Sequence, residues 1–275
     1  MSLYYILHNS LVKYILIKDK MKSKPEIIVM LTQNDVTMQN ARDIFLSACD
    51  LDINNWGFKN TGISNDDMLA LIKTIKEKGK TAILEIVNYD ESSCLEIVKT
   101  ASEYGIDQVM GTVYYPSIHD FLDKKNIPYK PFVGRVSGNP SILEGSPEEI
   151  INEAKKLLDR GISGFDLLAY RHAENAEELA RKFIKEIDSQ RAKTSISGGV
   201  CTLKQIDFIF DISPWAFTIG SALFENKFAP NANITLAGNF RENLSAVLKY
   251  YTTTLAAQSP QRPAPSQPVP RFSCQ

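Results

Sequence analysis

TSISGGVCTLKQI (residues 194–206) and WAFTIGSALFENKF (residues 215–228), two stretches near the end of the chain, carry the pattern that decides the fold. Each is a short run of apolar and β-branched residues that ends in glycine and continues into a helix-like segment. The pattern predicts two consecutive strand–turn–helix units. Because glycine lets the backbone turn sharply and come close to a bound group, both turns are also candidates for a ligand site.

The same unit recurs throughout the chain. Short runs of strand character, mostly apolar along their whole length, are typical of parallel strands that are buried on both faces. These runs lie at residues 26–32, 55–60, 81–87, 107–113, 129–134, 164–170, 194–199 and 215–221. The sequence therefore predicts a sheet of parallel strands.

Helical segments with clear start and stop signals lie between the strands. One begins at the predicted N-cap Ser64 and stops at Gly79, and another begins at Ser146, with Glu149 three positions later, and stops at Gly161. Eight units of roughly 30 residues match a (β/α)₈ barrel of about 250 residues. An open doubly wound sheet is the alternative, but LTQNDVT after the first strand lacks the glycine-rich turn typical of it.

We therefore predict a single-domain α/β protein with a (β/α)₈ barrel at residues 25–254. Residues 1–24 are interpreted as an N-terminal extension, and residues 255–275, rich in Pro, Ser and Gln, as a disordered tail. With 44% hydrophobic residues, the chain has enough apolar side chains for a large core.

Composition excludes several partners. The 31 basic and 32 acidic residues are spread along the chain, so no nucleic-acid partner is expected. Polar residues interrupt the apolar N-terminus, so no membrane partner is expected either. The four cysteines form no CxxC pair, which favours a reducing cytoplasm. A homo-oligomer is left open. No motif indicates a nicotinamide, ATP or metal site, so we predict no cofactor.

The two glycine turns have a specific meaning in a barrel. The loops after the seventh and eighth strands, with a short extra helix, often bind a phosphate group through backbone N–H groups. The predicted phosphate-binding residues are Ser197, Gly198, Gly199, Gly220 and Ser221. The alternative is that these glycines only form tight turns.

At these residues the chain resembles the ribulose-phosphate-binding barrels. This group includes the sugar isomerases of histidine biosynthesis, phosphoribosylanthranilate isomerase and indole-glycerol-phosphate synthase. The resemblance extends over residues 26–250 and implies a TIM barrel that acts on a phosphate monoester. The sugar isomerases use a carboxylate after the first strand, a role that the resemblance gives to Asp35. They use another after the fifth strand, where FVGRVSG has no carboxylate.

Charged residues inside apolar strands are the candidate catalytic groups, because burying an unpaired charge is costly. Lys59 ends the second strand, Glu85 lies in the third, and Asp166 lies early in the sixth. Lys59 and Glu85 are expected to meet inside the barrel. Lys59 is then either a Schiff-base nucleophile or an electrophile that stabilises an enolate, with Glu85 tuning its pKa or carrying the proton. A purely structural ion network is the alternative.

Residues in the predicted loops supply the substrate contacts. The expected contacts are Asn34, Arg135, Ser137, Arg171 and His172, with the long fifth loop acting as a lid. The sequence thus predicts an enzyme for a small phosphorylated metabolite, with aldolase-like lyase or sugar-phosphate isomerase chemistry. A non-catalytic barrel that binds such a metabolite, as a sensor or scaffold, is the alternative.

Overall fold

The predicted strand–helix units form a (β/α)₈ TIM barrel. The structure, a computed structural model, describes residues 24–187, 192–230 and 235–258. The predicted N-terminal extension and C-terminal tail lie outside these residues, except for Lys24 and residues 255–258. The fold-class prediction is confirmed.

Eight parallel strands form the barrel in the order β6–β7–β8–β1–β2–β3–β4–β5. Between β5 and β6 the amide of Asp166 donates to the carbonyl oxygen of Pro131 (3.1 Å), and this contact brings the two ends of the sheet together. The strands are β1 (Glu26–Met30), β2 (Asn55–Lys59), β3 (Thr81–Ile86), β4 (Gln108–Gly111), β5 (Tyr129–Lys130), β6 (Asp166–Leu167), β7 (Ser195–Ile196) and β8 (Ala216–Ile219).

Helices follow the strands and cover the outside of the barrel. They are α1 (Ala41–Ala48), α2 (Asn65–Glu77), α3 (Glu91–Glu103), α4 (Pro116–Lys124), α5 (Pro147–Asp159), α6 (Ala176–Glu186), α7 (Leu203–Ile212), the short α8 (Ser221–Phe224) and α9 (Leu236–Gln258). A 3₁₀ turn, Ala169–Arg171, follows β6.

The helix starts are where capping chemistry places them. The Ser64 hydroxyl accepts from the amide of Asp67 (3.1 Å) at the start of α2. At the start of α5, Ser146 and Glu149 form a reciprocal capping box, with bonds of 2.9 and 3.2 Å. These local signals are strong enough for the sequence alone to give the helix starts.

The core has two parts. Between the strands and helices, aromatic side chains pack edge to face, as Phe45 does on Trp56 at 4.9 Å. Inside the barrel a smaller apolar cluster is formed by Ile28, Met30, Ile83, Met110 and Ala216. This cluster supports the polar groups at the carboxyl ends of the strands from below.

Two β-hairpins stand at the barrel mouth, where the sequence predicted a strand end and a loop. The first-loop hairpin pairs Thr32–Gln33 with Val36–Thr37, and the fifth-loop hairpin pairs Arg135–Ser137 with Ile142–Glu144. The first turns at Asn34 and Asp35, which have φ values of 51° and 62°. Such left-handed residues are typical of two-residue hairpin turns, which is why β1 ends earlier than predicted.

Candidate functional site

A cavity of about 240 Å³ opens at the carboxyl ends of the strands. In this fold, that end of the barrel carries the residues that contact ligands. The predicted site residues that line the cavity are Asp35, Lys59, Glu85, Arg171, Ser197, Gly198, Gly199, Gly220 and Ser221. The fold thus brings residues from six strand–helix units into one small space.

Lys59 lies between two carboxylates. Its Nζ is 2.7 Å from Oδ1 of Asp35 and 3.3 Å from Oε1 of Glu85. Lys59 and Glu85 are paired positions on the adjacent strands β2 and β3, so the predicted meeting of these side chains is confirmed. An ammonium group has three N–H donors, and two are directed to these carboxylates. The third has no acceptor among the residues that the structure describes.

The carboxylates keep Lys59 protonated. Burial by itself lowers the pKa of Lys59, but the attraction of Glu85 and Asp35 outweighs it, so the pKa lies above the ordinary lysine value. Burial by itself raises the pKa of Asp35. The positive charges of Lys59 and Arg171 outweigh this effect and hold the pKa of Asp35 below its ordinary value. Lys59 is therefore an ammonium group at neutral pH and a hydrogen-bond donor, not a free amine.

Arg171 joins several loops at the cavity edge. Its Nη2 contacts both carboxylate oxygens of Asp35 (3.1 and 3.0 Å). Its Nε donates to the carbonyl oxygen of Gly198 (2.7 Å), and its Nη1 donates to that of Ser141 (3.4 Å). The Arg171 guanidinium is thus already engaged in holding Asp35, so a ligand that contacts Arg171, as the sequence predicted, has to share it with Asp35.

Asp166 lies below the cavity, fully buried, and does not line it. Its Oδ1 accepts from the Ser195 hydroxyl (3.1 Å), and its Oδ2 has no hydrogen-bond partner in the described part of the chain. Burial first, and then the negative charge of Glu85, raises the pKa of Asp166 to about 7. Asp166 is therefore a carboxyl group that carries a proton over much of the range below neutral pH.

The turn after β7 has a backbone that suits glycine. Gly198 and Gly199 have φ values of 101° and 135°, in the left-handed region where side chains are strained. A Cβ on Gly198 would lie 2.7 Å from Cγ of Arg171, whereas a Cβ on Gly199 would meet nothing within 4 Å. Gly199 therefore presents open backbone to the cavity, as a backbone anion site requires.

The turn after β8 leads into α8, a short extra helix that begins at Ser221. The Ser221 hydroxyl accepts from the amide of Asn34 (3.2 Å), so this turn contacts the first-loop hairpin. Gly220 and Ser221 line the same cavity as Gly198 and Gly199. Glu225, just after α8, also lines it, and its exposed carboxylate lies 3.8 Å from Nζ of Lys227.

Four predicted substrate contacts do not line the cavity. The backbone of Asn34 forms the hairpin turn, and Ser137 is exposed on the fifth-loop hairpin. Arg135 is exposed and lies 3.7 Å from Glu149. His172 donates from Nε2 to the carbonyl oxygen of Gly145 (2.8 Å). Ser141 is the residue of the fifth loop that lines the cavity, and the ligand contacts of Arg135 and Ser137 stay predictions.

Sequence reasoning missed several polar residues of the cavity, namely Thr32, Ser141, Thr218 and Glu225. A signal for Thr218 existed, because Ala216, Thr218 and Gly220 alternate along β8 and share its inner face. Nothing local identified Ser141, which reaches the cavity only through the hairpin.

Lys130 is a second buried lysine, and it lies at the other end of the barrel. Its Nζ donates to Oε1 of Gln108 and lies 3.4 Å from the ring centroid of Trp215, which directly precedes β8. Burial, followed by the charge of Lys193, lowers the pKa of Lys130 to about 6. This amine is largely unprotonated at neutral pH, but it does not line the cavity.

The described residues contain neither a metal-binding cluster nor a membrane-spanning helix. No group of three or more His, Cys, Asp or Glu residues in this part of the chain is placed to hold a metal ion. Within the same residues, no helix combines the length and apolar character needed to cross a lipid bilayer.

Solved structures with this fold are numerous. The native KDPGal structure has a TM-score of 0.62 and 13% identity, covering 85% of this chain and 98% of that one. Orotidine 5′-phosphate decarboxylase from Pyrococcus horikoshii OT3 has a TM-score of 0.58 and 14% identity, covering 82% and 99%. The tryptophan synthase A-subunit from Pyrococcus furiosus has a TM-score of 0.58 and 14% identity, covering 83% and 99%.

No protein-family model matches the chain, and no curated protein matches it significantly. At 13–14% identity, the structural likeness shows the fold and does not single out the ribulose-phosphate-binding group. The chain is a TIM barrel with a polar cavity at the end of the barrel where this fold places its sites.

Proposed function

We propose that this barrel is an enzyme that acts on a small phosphorylated metabolite by isomerase or aldolase-like lyase chemistry. The observation that carries the proposal is the shared cavity. The Lys59 ammonium, with one donor unused, and the two glycine turns line the same space of about 240 Å³. That arrangement suits a ligand held at one end by its phosphate while its reacting carbon lies near Lys59 and Glu85.

The phosphate end of the proposal rests on the glycine turns. Backbone N–H groups around Gly199 and Ser221 would hold the anion, since the cationic side chains Lys59 and Arg171 are already paired with carboxylates. Glu225 at the rim repels a phosphate dianion, and the paired Lys227 offsets part of that repulsion, so a phosphate position deep in the turns is favoured. Two structural neighbours, orotidine 5′-phosphate decarboxylase and tryptophan synthase, are named as enzymes, and the name of the first includes a phosphorylated compound.

The reacting end favours enolate chemistry over a Schiff base. A lysine must lose its proton to attack a carbonyl, and the carboxylates around Lys59 oppose that loss. As an ammonium group, Lys59 instead donates a hydrogen bond to a carbonyl oxygen and stabilises the negative charge that develops there. Of the two roles that the sequence left open, the electrophile is therefore the one we propose.

Glu85 is the proposed base. In an isomerisation Glu85 accepts the proton from the hydroxyl-bearing carbon next to the carbonyl, and the electron pair moves to the oxygen held by Lys59. A proton then passes from the neighbouring hydroxyl to that oxygen, the neighbouring oxygen becomes the new carbonyl, and Glu85 returns its proton to the former carbonyl carbon. In a lyase reaction it accepts a hydroxyl proton, the carbon–carbon bond breaks, and the same enolate forms and is then protonated. Asp166 lies below the cavity and does not contact the ligand in this proposal; above about pH 7, where it is ionised, its charge acts on Glu85 and Lys59.

A thermal-shift screen tests the anion site. Inorganic phosphate, sugar phosphates and keto-acid phosphates are compared on the wild type, on Gly199→Asp and on the control Gly79→Asp. Both glycines have positive φ and open surroundings, but Gly79 follows α2, away from the cavity. Stabilisation by one phosphorylated class that is lost only in Gly199→Asp supports the proposal. No stabilisation by any of them contradicts it.

A non-catalytic binding barrel is the second candidate, and the ion network favours it. Asp35 is held by both Lys59 and Arg171, and such a satisfied network is also what a structural cluster shows. Each compound that stabilises the protein is therefore incubated with it, and product formation is followed by ³¹P and ¹H NMR. Binding without turnover by the wild type identifies the sensor. Turnover that Lys59→Met abolishes identifies the enzyme.

A further inference from the structure

Residues at the barrel mouth form a chain of contacts whose two ends, Glu85 and Tyr89, are joined through the backbone after β3; we call this circuit the mouth ring. It passes from one strand end to the next and surrounds the upper part of the cavity. Its members are Asp35, Lys59, Glu85, Tyr89, Ser141 and Arg171.

One half of the ring is ionic. Glu85 contacts Lys59 (3.3 Å), Lys59 contacts Asp35 (2.7 Å), and Asp35 contacts Arg171 (3.0 Å). The three side chains with full carboxylate or ammonium charge are all at most 10% exposed. This half is therefore held by strong, desolvated contacts.

The other half is made of single hydrogen bonds. Arg171 donates from Nη1 to the Ser141 carbonyl oxygen at 3.4 Å, a long contact. The Ser141 hydroxyl lies 2.6 Å from the hydroxyl of Tyr89. Tyr89 follows β3, four positions after Glu85, and so closes the ring through the backbone.

The Tyr89–Ser141 hydrogen bond fixes one side of the fifth-loop hairpin. The other side is anchored next to Arg171, where the Ala173 amide donates to Leu143 (3.2 Å) and His172 donates to Gly145 (2.8 Å). Among the hydrogen bonds of the described residues, Tyr89–Ser141 is the one that joins the hairpin to the segment after β3. Loss of this bond frees the hairpin on the side above Glu85.

We propose that Tyr89 is a positioning residue of the cavity: its hydroxyl, bound to Ser141, holds the fifth-loop hairpin closed over Lys59 and Glu85. The position of the hairpin is coupled to Asp35 through two contacts: Ser141 accepts a hydrogen bond from Arg171, and Arg171 contacts Asp35. The expected effect of Tyr89 on turnover rests on the proposed function. The closure of the hairpin by Tyr89 does not depend on that function.

The variant Tyr89→Phe tests the inference, because it removes one oxygen and keeps the ring. Ser141→Ala removes the partner hydroxyl, and the double variant shows whether both act through one bond. Tyr250→Phe is the matched control, because the Tyr250 hydroxyl also makes one hydrogen bond, to Asp207 (2.7 Å), on the exposed surface away from the cavity.

The first readout needs no substrate. Amide exchange of residues 135–144 is followed by mass spectrometry. Loss of one hydrogen bond is expected to increase the exchange rates about 2- to 10-fold in Tyr89→Phe and Ser141→Ala, with no further increase in the double variant. Rates equal to those of the wild type and of Tyr250→Phe overturn the inference.

The kinetic readout separates positioning from a merely structural contact. With the substrate that the screen identifies, Tyr89→Phe is expected to lower kcat about 10-fold or more, while Kd for inorganic phosphate stays within about 2-fold. Unchanged kcat overturns the inference. If no phosphorylated compound binds or reacts, the proposed function fails by itself, and the amide exchange of residues 135–144 still decides whether Tyr89 closes the hairpin.

Discussion

At the scale of single residues, the chemistry of this barrel depends on how two lysines are buried. Lys59 has two carboxylates within 3.3 Å and keeps its proton. Lys130 contacts an amide oxygen and a ring face, and burial, followed by the charge of Lys193, lowers its pKa to about 6. Both are almost fully buried, so burial alone does not decide the charge. The charged lysine faces the cavity and the neutral one does not.

Replacing Lys59 with methionine is expected to lower both activity and stability. The ammonium donor is lost, so turnover of any substrate is expected to fall about 10²- to 10⁴-fold. Glu85 is left buried without its partner, so the free energy of unfolding is expected to fall by about 3 kcal/mol. Urea unfolding and initial rates measure the two effects, with Lys73→Met as the control, because Lys73 is exposed and weakly paired.

Borohydride reduction in the presence of a turned-over substrate is expected to leave Lys59 unmodified, because its ammonium form is not nucleophilic. Mass spectrometry of the Lys59 peptide is the measurement. An adduct on Lys59 would contradict the enolate mechanism and restore the Schiff base.

Asp166 makes stability depend on pH. Its pKa is about 7 in the folded chain and 3.8 as the ordinary value, so between pH 4 and 7 the folded state binds more protons than the unfolded state. Stability from this group is therefore present at low pH and lost as pH rises towards 7, by a total on the order of 4 kcal/mol. Asp166→Asn removes this loss.

Urea unfolding of the wild type and Asp166→Asn at pH 5, 6, 7 and 8 measures the effect. The free energy of unfolding of the variant relative to the wild type is expected to increase up to about pH 7 and then level off. Asp120→Asn, on the exposed surface of α4, is the control. A difference that does not change with pH would show that Asp166 is ionised throughout.

At the scale of elements, the two glycine turns and the hairpins decide what the cavity is. Helix starts follow local signals, such as the capping box at Ser146, and so were predictable, whereas β1, β5 and β6 end earlier than predicted. The hairpins at the mouth were not predictable, since the first depends on Asn34 and Asp35 adopting left-handed backbone and the second places Ser141 over the cavity.

Gly199→Ala tests whether its turn binds an anion. The positive φ of 135° predicts a loss of stability of about 1–2 kcal/mol. It also predicts an increase of at least about 10-fold in Kd for inorganic phosphate, because the added methyl group enters open space at the cavity. Gly79→Ala, with a φ of 69°, is expected to lose similar stability without changing Kd. Kd for phosphate is measured by calorimetry. Equal Kd values in the two variants would show that the glycine turn after β7 does not bind an anion.

At the scale of the whole molecule, the barrel is closed unevenly. The pairs β2–β3 and β3–β4 are long ladders, whereas β5 meets β6 through the amide of Asp166 and the carbonyl of Pro131. Fewer backbone hydrogen bonds mean a lower free energy of local opening. The barrel is therefore expected to open first between β5 and β6.

Native-state hydrogen exchange tests this expectation. The amide of Asp166 and those of β5 are expected to exchange at least about 10-fold faster than those of Trp56 and Phe58 in β2. Equal amide protection in all strands would show that side-chain packing, and not the number of backbone hydrogen bonds between strands, determines where the barrel opens.

The amino-acid sequence by itself determined the eight units, the helix starts and the glycine turns, because apolar periodicity, caps and glycine act over a few neighbouring residues. It also indicated Lys59 and Glu85, since charges in apolar strands are conspicuous. Only the tertiary structure decided that Asp35 and Arg171 contact each other beside Lys59, and that Lys59 remains charged. It also decided that Ser141, and not Arg135 or Ser137, lines the cavity. Those outcomes depend on distances between groups far apart in the chain, which no local pattern contains.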